Sequence, residues 1–252
     1  MARPRAIVLR APGTNCDEET VEAWELAGAS AENWHVGRLL EAPHSLDAFQ
    51  ILTIPGGFSY GDDLGAGRIF ATRLGTVLVD SLRRFHDRGG LVLGICNGFQ
   101  VLVRAGLLPG DTAATLTFNE SGHYESRWVR LLPKAGKTPF LTDSGPIELP
   151  VGHGEGRFVV RDESTLKTIE SSGQVVLRYV DDNEEATQDY PANPNGSMAA
   201  IAGVCDSTGR IFGLMPHPDR FFDPLLDHRW TRRGLKAEGD GLRIFRNAVN
   251  AF

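Results

Sequence analysis

Cys96 is the side chain in this sequence that is best placed to act as a nucleophile. A short apolar run, residues 91–93, leads directly into residues 94–98, which read GICNG, and a helical pattern follows. The glycines allow a tight strand-to-helix turn, which lifts the side chain between them above the edge of a sheet. The N-terminus of the following helix favours a thiolate over a thiol. We therefore predict a nucleophilic Cys96, with the backbone N–H of Asn97 pointing at any oxyanion formed there.

A buried cysteine can also be a small hydrophobic residue without a chemical role. This is our interpretation of Cys16 and Cys205, which lack such a turn. The three cysteines are odd in number and far apart in the sequence. They therefore predict neither a disulfide framework nor a metal-binding pair, and they are typical of a protein of the reducing cytoplasm.

His217 is the candidate base for this thiol, because a nucleophilic cysteine needs a proton acceptor and the acceptor needs an orienting group. It follows an apolar run, residues 211–214, and lies in residues 215–220, which read MPHPDR. Prolines on both sides favour an extended backbone, in which residues i and i+2 project to the same side. Asp219 is therefore predicted to hold the imidazole. The alternative is a surface histidine beside a surface aspartate.

The elements that must position these groups alternate between strand and helix in the first half of the chain. Such alternation with short connections predicts a parallel sheet covered on both faces. Buried strands are predicted over residues 6–9, 51–54 and 91–93. Helices are predicted from a cap at Thr14 to Gly28, over residues 68–88, and over residues 97–105.

Strand patterns dominate the second half of the chain. The predicted strands cover residues 127–132, 157–160, 175–179, 199–204 and 211–214, and a last amphipathic helix covers residues 242–249. No repeat or linker interrupts the sequence. We predict one domain over residues 1–252, with residues 223–252 as a C-terminal extension and helix packed on it.

Two further segments have open interpretations. The glycine-rich residues 152–156 are predicted to form a tight turn, with contact to a partner protein as the alternative. The charged residues 223–240 are predicted to be a solvated loop, with a docking surface for a partner as the alternative.

The composition is that of a globular protein, since 41% of the 252 residues are hydrophobic and 23% are charged. The formal net charge of −6 argues against nucleic acid or an anionic membrane as the main partner. The apolar run at residues 6–9 is too short for the core of a signal peptide, and no later stretch could span a membrane. We expect a soluble, cytoplasmic protein.

Several motifs together resemble the class I, triad-type glutamine amidotransferases in order and spacing. These are residues 55–57 (PGG), residues 94–100 (GICNGFQ), and His217 with an acid two positions later. Longer segments are similar to the glutaminase subunits of phosphoribosylformylglycinamidine synthase, and that resemblance extends from about residue 6 to residue 223. The segments are residues 55–63 (PGGFSYGDD), 119–121 (NES) and 153–158 (HGEGRF).

The resemblance implies an α/β fold, namely a flavodoxin-like three-layer α/β/α class I glutamine amidotransferase domain with a mixed, mostly parallel sheet. It implies hydrolysis of glutamine to glutamate and ammonia. The ammonia would pass to an ATP-dependent synthetase subunit, which converts formylglycinamide ribonucleotide to formylglycinamidine ribonucleotide in purine biosynthesis. This chain would hold no cofactor or metal, ATP and Mg²⁺ would bind to the synthetase subunit, and a small third subunit is expected.

The resemblance also implies roles for individual residues. Cys96, His217 and Asp219 would form the catalytic triad, Gly57 and Asn97 would stabilise the oxyanion, and Gly56, Gln100, Asn119 and Ser121 would bind glutamine. The sequence departs from the family at Asp219, where the family usually has glutamate. Aspartate is shorter by about 1.5 Å, against a tolerance of about 0.5 Å in a preorganised site.

Other interpretations stay open at this point. Gln100 and residues 119–121 could be an ordinary helix residue and polar turn. The chain could be a cysteine-elbow hydrolase or stress-related protein of the same fold, although such proteins need neither the PGG turn nor the late histidine. It could also be an interaction subunit without catalysis, or an amidotransferase that serves another acceptor.

Overall fold

The computed structural model of the chain describes residues 3–110 and 114–252, except for the side chain of Val77. Its strands are β1 (Arg5–Arg10), β2 (Ser30–His35), β3 (Ile51–Ile54), β4 (Leu91–Ile95), β5 (Ala114–Thr117), β6 (Glu125–Pro133), β7 (Ile147–His153), β8 (Arg157–Val160), β9 (Val175–Val180), β10 (Ile201–Cys205) and β11 (Ile211–Leu214). Its α-helices are α1 (Asp17–Ala27), α2 (Val36–Glu41), α3 (Arg68–Arg73), α4 (Val79–Asp87), α5 (Asn97–Arg104), α6 (Glu163–Ser171), α7 (Trp230–Arg233) and α8 (Leu242–Val249).

A mixed sheet forms the centre of the molecule, and within the two described ranges it has nine strands in the order β2-β1-β3-β4-β11-β10-β9-β6-β7. The strands from β2 to β11 in this order pair in parallel. Those from β11 to β7 pair antiparallel. Strands β5 and β8 form a separate antiparallel pair. The predicted α/β fold class with a mixed sheet is confirmed.

The central parallel strands are buried on both faces of the sheet. Every residue of β3 and β4 is buried, and successive side chains of a strand point to opposite faces. Helices α1 and α5 pack against these strands and their neighbours. Helix α8 packs on α1, where the rings of Trp24 and Phe245 meet edge to face at 4.8 Å. This burial explains the uninterrupted apolar runs of the first half.

One helix prediction is wrong at its start, and a second is confirmed with an irregularity in its middle. Helix α1 begins at Asp17 with Cys16 at its N-cap, so the predicted cap at Thr14 is wrong. The hydroxyl of Thr14 instead accepts a hydrogen bond from the Ala11 N–H at 3.0 Å, and its backbone bridges to Gly57. The predicted helix over residues 68–88 consists of α3 and α4, which are joined by a π-helical turn at Leu74–Leu78.

The glycine-rich turn was predicted too long. Gly152 and His153 belong to the end of β7, and only residues 154–156 form the turn. The segment 223–240 contains a 3-10 turn at Pro224–Leu226 as well as α7. It therefore has more regular structure than the loop that we predicted.

Candidate active site

Cys96 lies on the sharp turn between β4 and α5. Its backbone has φ 50° and ψ −104°, a conformation that residues other than glycine rarely adopt and that stores strain. The turn is held by a hydrogen bond from the Cys96 N–H to the carbonyl oxygen of Leu214 in β11 at 2.8 Å. A strained nucleophile between a strand and a helix is the geometry of a nucleophile elbow.

The two glycines of the elbow are required by close packing. A Cβ atom added at Gly98 would lie 1.8 Å from the carbonyl oxygen of Ile54 in β3. A Cβ atom at Gly94 would lie 2.8 Å from the backbone of Gly98. The first turn of α5 therefore approaches β3 so closely that only glycine fits, which brings the PGG segment and the cysteine side by side.

The thiol of Cys96 opens into a pocket of about 150 Å³. Its side chain is largely buried, and Sγ lies 3.6 Å from the carbonyl oxygen of Gly152. The pocket walls include Gly57, Gln100, Tyr124 and His153. Tyr124 and Gly152 have no role in the sequence-based prediction of the site, because neither forms a recognisable motif with the elbow.

His217 follows β11 and is completely buried beside Asp219. Its N–H donates to the carbonyl oxygen of Pro150 in β7 at 2.8 Å. Its Nδ1 lies 3.3 Å from Oδ1 and 3.4 Å from Oδ2 of Asp219. Among residues 3–110 and 114–252, no atom forms a hydrogen bond with its Nε2. The predicted contact between His217 and Asp219 exists, but it crosses a 3-10 turn at Pro218–Arg220 and not an extended chain.

The electrostatic surroundings favour the protonated form of His217. Burial lowers the pKa of its imidazole, but the negative charges at Asp219 and Cys96 and the hydrogen bonds with Asp219 and Cys16 outweigh burial. The net result is a pKa well above the usual value of 6.5. An imidazolium at this position can stabilise a thiolate and can donate a proton.

Of the predicted oxyanion residues, Gly57 lines the pocket and Asn97 follows Cys96 as the first residue of α5. Gly57 has φ 139°, and a Cβ atom there would lie 2.8 Å from the Asn15 nitrogen, so another residue would not fit. The buried side chain of Asn97 accepts from the Ser59 N–H at 3.2 Å and donates to Asp62 at 3.1 Å. It thereby joins the elbow to the loop that follows the PGG segment.

Of the predicted glutamine-binding residues, Gln100 lies at the pocket and Gly56 lies beside His217. Gln100 lines the pocket, and its amide accepts from Asn97 at 3.0 Å and donates to the carbonyl oxygen of Glu155 at 2.7 Å. Gly56 packs against the imidazole, since a Cβ atom there would lie 2.6 Å from Cε1 of His217. Gly56 therefore makes room for the base and does not form the pocket wall.

The structure does not bring Asn119 and Ser121 to the pocket walls, so their predicted part in glutamine binding stays a prediction. The amide of buried Asn119 donates to the carbonyl oxygens of His123 and His153, each at 2.8 Å, and accepts from the Gly156 N–H at 3.0 Å. Its hydrogen-bonding groups are thus occupied by the protein. Ser121 is exposed and donates to Glu125 at 2.9 Å.

His153, in the pocket wall, is held in its neutral form. Burial and the charge of His217 lower the pKa of its imidazole to about 3. Its Nδ1 lies 3.1 Å from Oδ1 of Asn119, and its Nε2 lies 3.4 Å from Nδ2 of Asn195. These contacts fit a neutral tautomer that donates from Nδ1 and accepts at Nε2. The buried imidazole supports the glycine turn and is not available to a partner protein.

Replacing Asn119 by alanine is expected to lower the free energy of unfolding by about 2–4 kcal/mol, because buried donors of His153 and Gly156 lose their acceptor. Urea denaturation measures this change. Ser121→Ala is the matched control in the same loop, with an expected change within about 0.5 kcal/mol because Ser121 is exposed. Equal effects of the two substitutions would contradict the assigned role of Asn119.

Cys16 also belongs to this site, although the sequence interpretation gave it no role. Its buried Sγ lies 4.0 Å from Nδ1 of His217. The order of the strands could have indicated this role. The carboxyl ends of parallel strands meet at one edge of a sheet, so the segment after β1, which contains Cys16, lies near the elbow after β4. Within the described part of the chain, one group of side chains could hold a metal ion. It consists of Cys16, His217 and Asp219, whose potential ligand atoms all lie within 4.8 Å of one another.

None of the helices within the described ranges is both long and apolar enough to cross a membrane.

Known proteins resemble this chain over its full length. A family model described as the CobB/CobQ-like glutamine amidotransferase domain matches residues 3–252. The phosphoribosylformylglycinamidine synthase subunit PurQ of Dehalococcoides mccartyi is 47% identical, over 99% of this chain and 98% of that protein. The subunit of the same name from Methanococcus maripaludis is 39% identical, over 99% and 97%.

Solved structures are also similar to this chain. A chain in the structure of PurLQS from Thermotoga maritima superimposes with a TM-score of 0.76 at 33% identity, covering 99% of both chains. A glutamine amidotransferase from the same organism superimposes with a TM-score of 0.54 at 14% identity, covering 92% of this chain and 83% of that one. The second likeness shows a shared fold only.

Proposed function

This chain belongs to the CobB/CobQ-like glutamine amidotransferase family and, within it, to the glutaminase subunits of phosphoribosylformylglycinamidine synthase, and we propose that Cys96 attacks glutamine in the pocket above the elbow. The resemblance inferred from the sequence motifs is thereby confirmed. The chain hydrolyses glutamine for purine biosynthesis. The observation that carries the catalytic proposal is the strained Cys96 at the pocket, in the electrostatic range of the buried His217, whose pKa the carboxylate of Asp219 helps to raise.

In the first half of the reaction, the Cys96 thiolate forms a bond to the side-chain amide carbon of glutamine. The electron pair of the carbonyl bond moves to oxygen, and the backbone N–H groups of Gly57 and Asn97 stabilise that oxyanion. When the intermediate collapses, the C–N bond breaks. His217 gives its Nε2 proton to the departing nitrogen, which leaves as ammonia, and a thioester remains on Cys96.

In the second half, water attacks the thioester carbon while Nε2 of His217 accepts a proton from it. The C–S bond breaks, glutamate leaves, and the protonated imidazole again faces a thiolate. Asp219 accepts a hydrogen bond from Nδ1 throughout, which keeps Nε2 directed at the reacting atoms. Gln100 and the aromatic ring of Tyr124 shape the space for the substrate.

Glutamine hydrolysis is expected to persist through neutral pH and to decline as the pH rises through the raised pKa of His217. The reason is that only the imidazolium can protonate the departing nitrogen. Rates of glutamate release between pH 6 and pH 10 measure this basic limb. In Asp219→Asn the limb should move to lower pH, because the carboxylate raises the pKa of His217. A limb in the same place in both proteins would contradict this account.

An ATP-dependent synthetase subunit receives the ammonia and converts formylglycinamide ribonucleotide to its amidine. ATP and Mg²⁺ bind to that subunit, and a small third subunit completes the complex. The similar chain from Thermotoga maritima was solved as part of PurLQS, which supports such an assembly. We place the complex in the cytoplasm, where cysteines stay reduced, because all three cysteines of this chain are buried and free.

The decisive experiment mixes this protein with candidate synthetase subunits and follows glutamate release, with and without nucleotide and acceptor. Hydrolysis that rises when the acceptor and nucleotide are present supports the proposal. If no mixture hydrolyses glutamine while Cys96 is confirmed as reduced, the proposal is wrong. Stimulation by a synthetase for another acceptor would instead identify an amidotransferase of a different pathway.

A further inference from the structure

A second thiol lies on the side of the catalytic imidazole that the mechanism leaves unused. Cys16 is fully buried at the N-cap of α1, but its side chain does not cap the helix. Its Sγ lies 4.0 Å from Nδ1 of His217, the nitrogen that also faces Asp219. Nδ1 is the nitrogen that orients the ring, whereas Nε2 serves the reaction.

The contacts of this thiol connect two segments of the chain, residues 15–16 and residues 217–220. Its S–H donates to Oδ1 of Asn15 at 3.2 Å, and its sulfur accepts from Nη2 of Arg220 at 2.9 Å. Burial raises the pKa of Cys16, although His217 and Arg220 act in the opposite direction. A neutral thiol fits these contacts, because it can donate one hydrogen bond and accept another.

The other contacts of the imidazole leave it loosely held. The distances from Nδ1 to the oxygens of Asp219, 3.3 and 3.4 Å, exceed the usual N–H···O distance of about 2.9 Å. The backbone of Gly56 covers one edge of the ring without a directional contact. The sulfur of Cys16 fills the remaining space beside Nδ1.

We propose that Cys16 is a positioning residue for His217: its sulfur supports Nδ1 and holds Arg220, so that the imidazole keeps Nε2 towards Cys96. The inference rests on the proposed glutaminase function. Cys16, His217 and Asp219 together offer three atoms close enough to bind a metal ion. The sulfur of Cys16, however, already accepts a hydrogen bond from the guanidinium of Arg220. A divalent cation there would face this fixed positive charge at short range.

The position of Arg220, which the sulfur of Cys16 fixes, affects the electrostatic environment of His217. The titratable groups that act on His217 are Asp219, Cys96 and Cys16. Arg220 donates to the sulfur of Cys16, and its Nε lies 4.0 Å from a carboxylate oxygen of Glu19. His153 stays neutral in this environment. Without the sulfur, Arg220 is free to turn to the carboxylate of Asp219, which then holds the imidazole less well.

The experiment compares the wild-type complex with Cys16→Ala, Cys16→Ser and Cys205→Ala. In Cys16→Ala we expect kcat for glutamine hydrolysis to fall about tenfold with KM nearly unchanged, because a small displacement of a reacting group lowers the rate of the chemical step. The basic limb of the pH profile should also move to lower pH, since a hydrogen bond that raises the pKa of His217 is lost. Cys16→Ser keeps a donor and an acceptor, so most of kcat should return.

Cys205→Ala is the matched control, because Cys205 is an equally buried free cysteine in β10 and has no contact with the base. Equal changes of kcat and pH profile in Cys16→Ala and Cys205→Ala would overturn the inference, as would a change of KM alone. If Cys16→Ala does not fold, Cys16→Val, which fills similar space without a hydrogen-bonding group, takes its place, and an unmoved basic limb in Cys16→Val would overturn the inference. A wild-type complex without glutaminase activity would instead refute the proposed function itself.

Discussion

Replacing Cys96 by alanine is expected to reduce glutamine hydrolysis by about 10⁴-fold or more, because no other group in the pocket can form the thioester. The complex should keep its ability to make the amidine from free ammonium, since that reaction bypasses the glutaminase pocket. Both activities are measured in one assembled preparation, with glutamine or ammonium chloride as the nitrogen source.

The ammonium-dependent activity serves as the internal control for folding and assembly. Loss of both activities would show that the substitution disrupts the complex, and thermal unfolding of the isolated chain would then separate folding from docking. Substantial glutamine hydrolysis by Cys96→Ala, in protein free of contaminating glutaminase, would remove Cys96 from the mechanism.

Replacing His217 by alanine is expected to reduce glutamine hydrolysis by about 10³-fold or more, because the reaction loses both its proton donor and its base. Asp219→Ala should have a smaller effect of about 10- to 100-fold, because Asp219 orients the imidazole and does not react. Single-turnover measurements with saturating glutamine separate these losses from changes in binding.

His44→Ala is a suitable control, since His44 is exposed and lies outside the pocket. Its activity should match that of the wild type. If Asp219→Ala kept full turnover while His217→Ala lost it, Asp219 would have no orienting role. Equal losses in the two variants would indicate instead that Asp219 is needed to build the site.

The parts of the fold that could be predicted from sequence are those where local pattern and burial agree. Strands β1, β3 and β4 are buried on both faces, so they appear as apolar runs that end at glycine or proline. Strands β2, β5 and β7 were missed. Strand β5 is short and pairs with β8 outside the central sheet. Strands β2 and β7 form the two edges of the sheet, where polar residues such as those of Ser30–His35 and a proline such as Pro150 are tolerated.

The site was predictable to the extent that its residues lie in short motifs. The elbow around Cys96 and the proximity of His217 and Asp219 both follow from neighbours in the sequence. Asn119 and Cys16 depend on contacts between distant segments, namely with His153 and with His217. No local pattern encodes which way an amide or a thiol turns after the chain folds, so the sequence motifs gave no sign of the contact of Asn119 with His153 or of Cys16 with His217.

The position of β11 between β4 and β10 has a consequence for the newly made chain. Strands β1, β3 and β4 pair with one another, so that part of the sheet needs nothing made after Ile95. The base follows the nucleophile by about 120 residues, and closing so long a loop carries an entropic cost before any contact compensates for it. During synthesis the thiol therefore exists without its base. Glutamine hydrolysis can begin only after the segment with His217 has been made and has folded onto the elbow, which makes this activity a reporter of the pairing between β4 and β11.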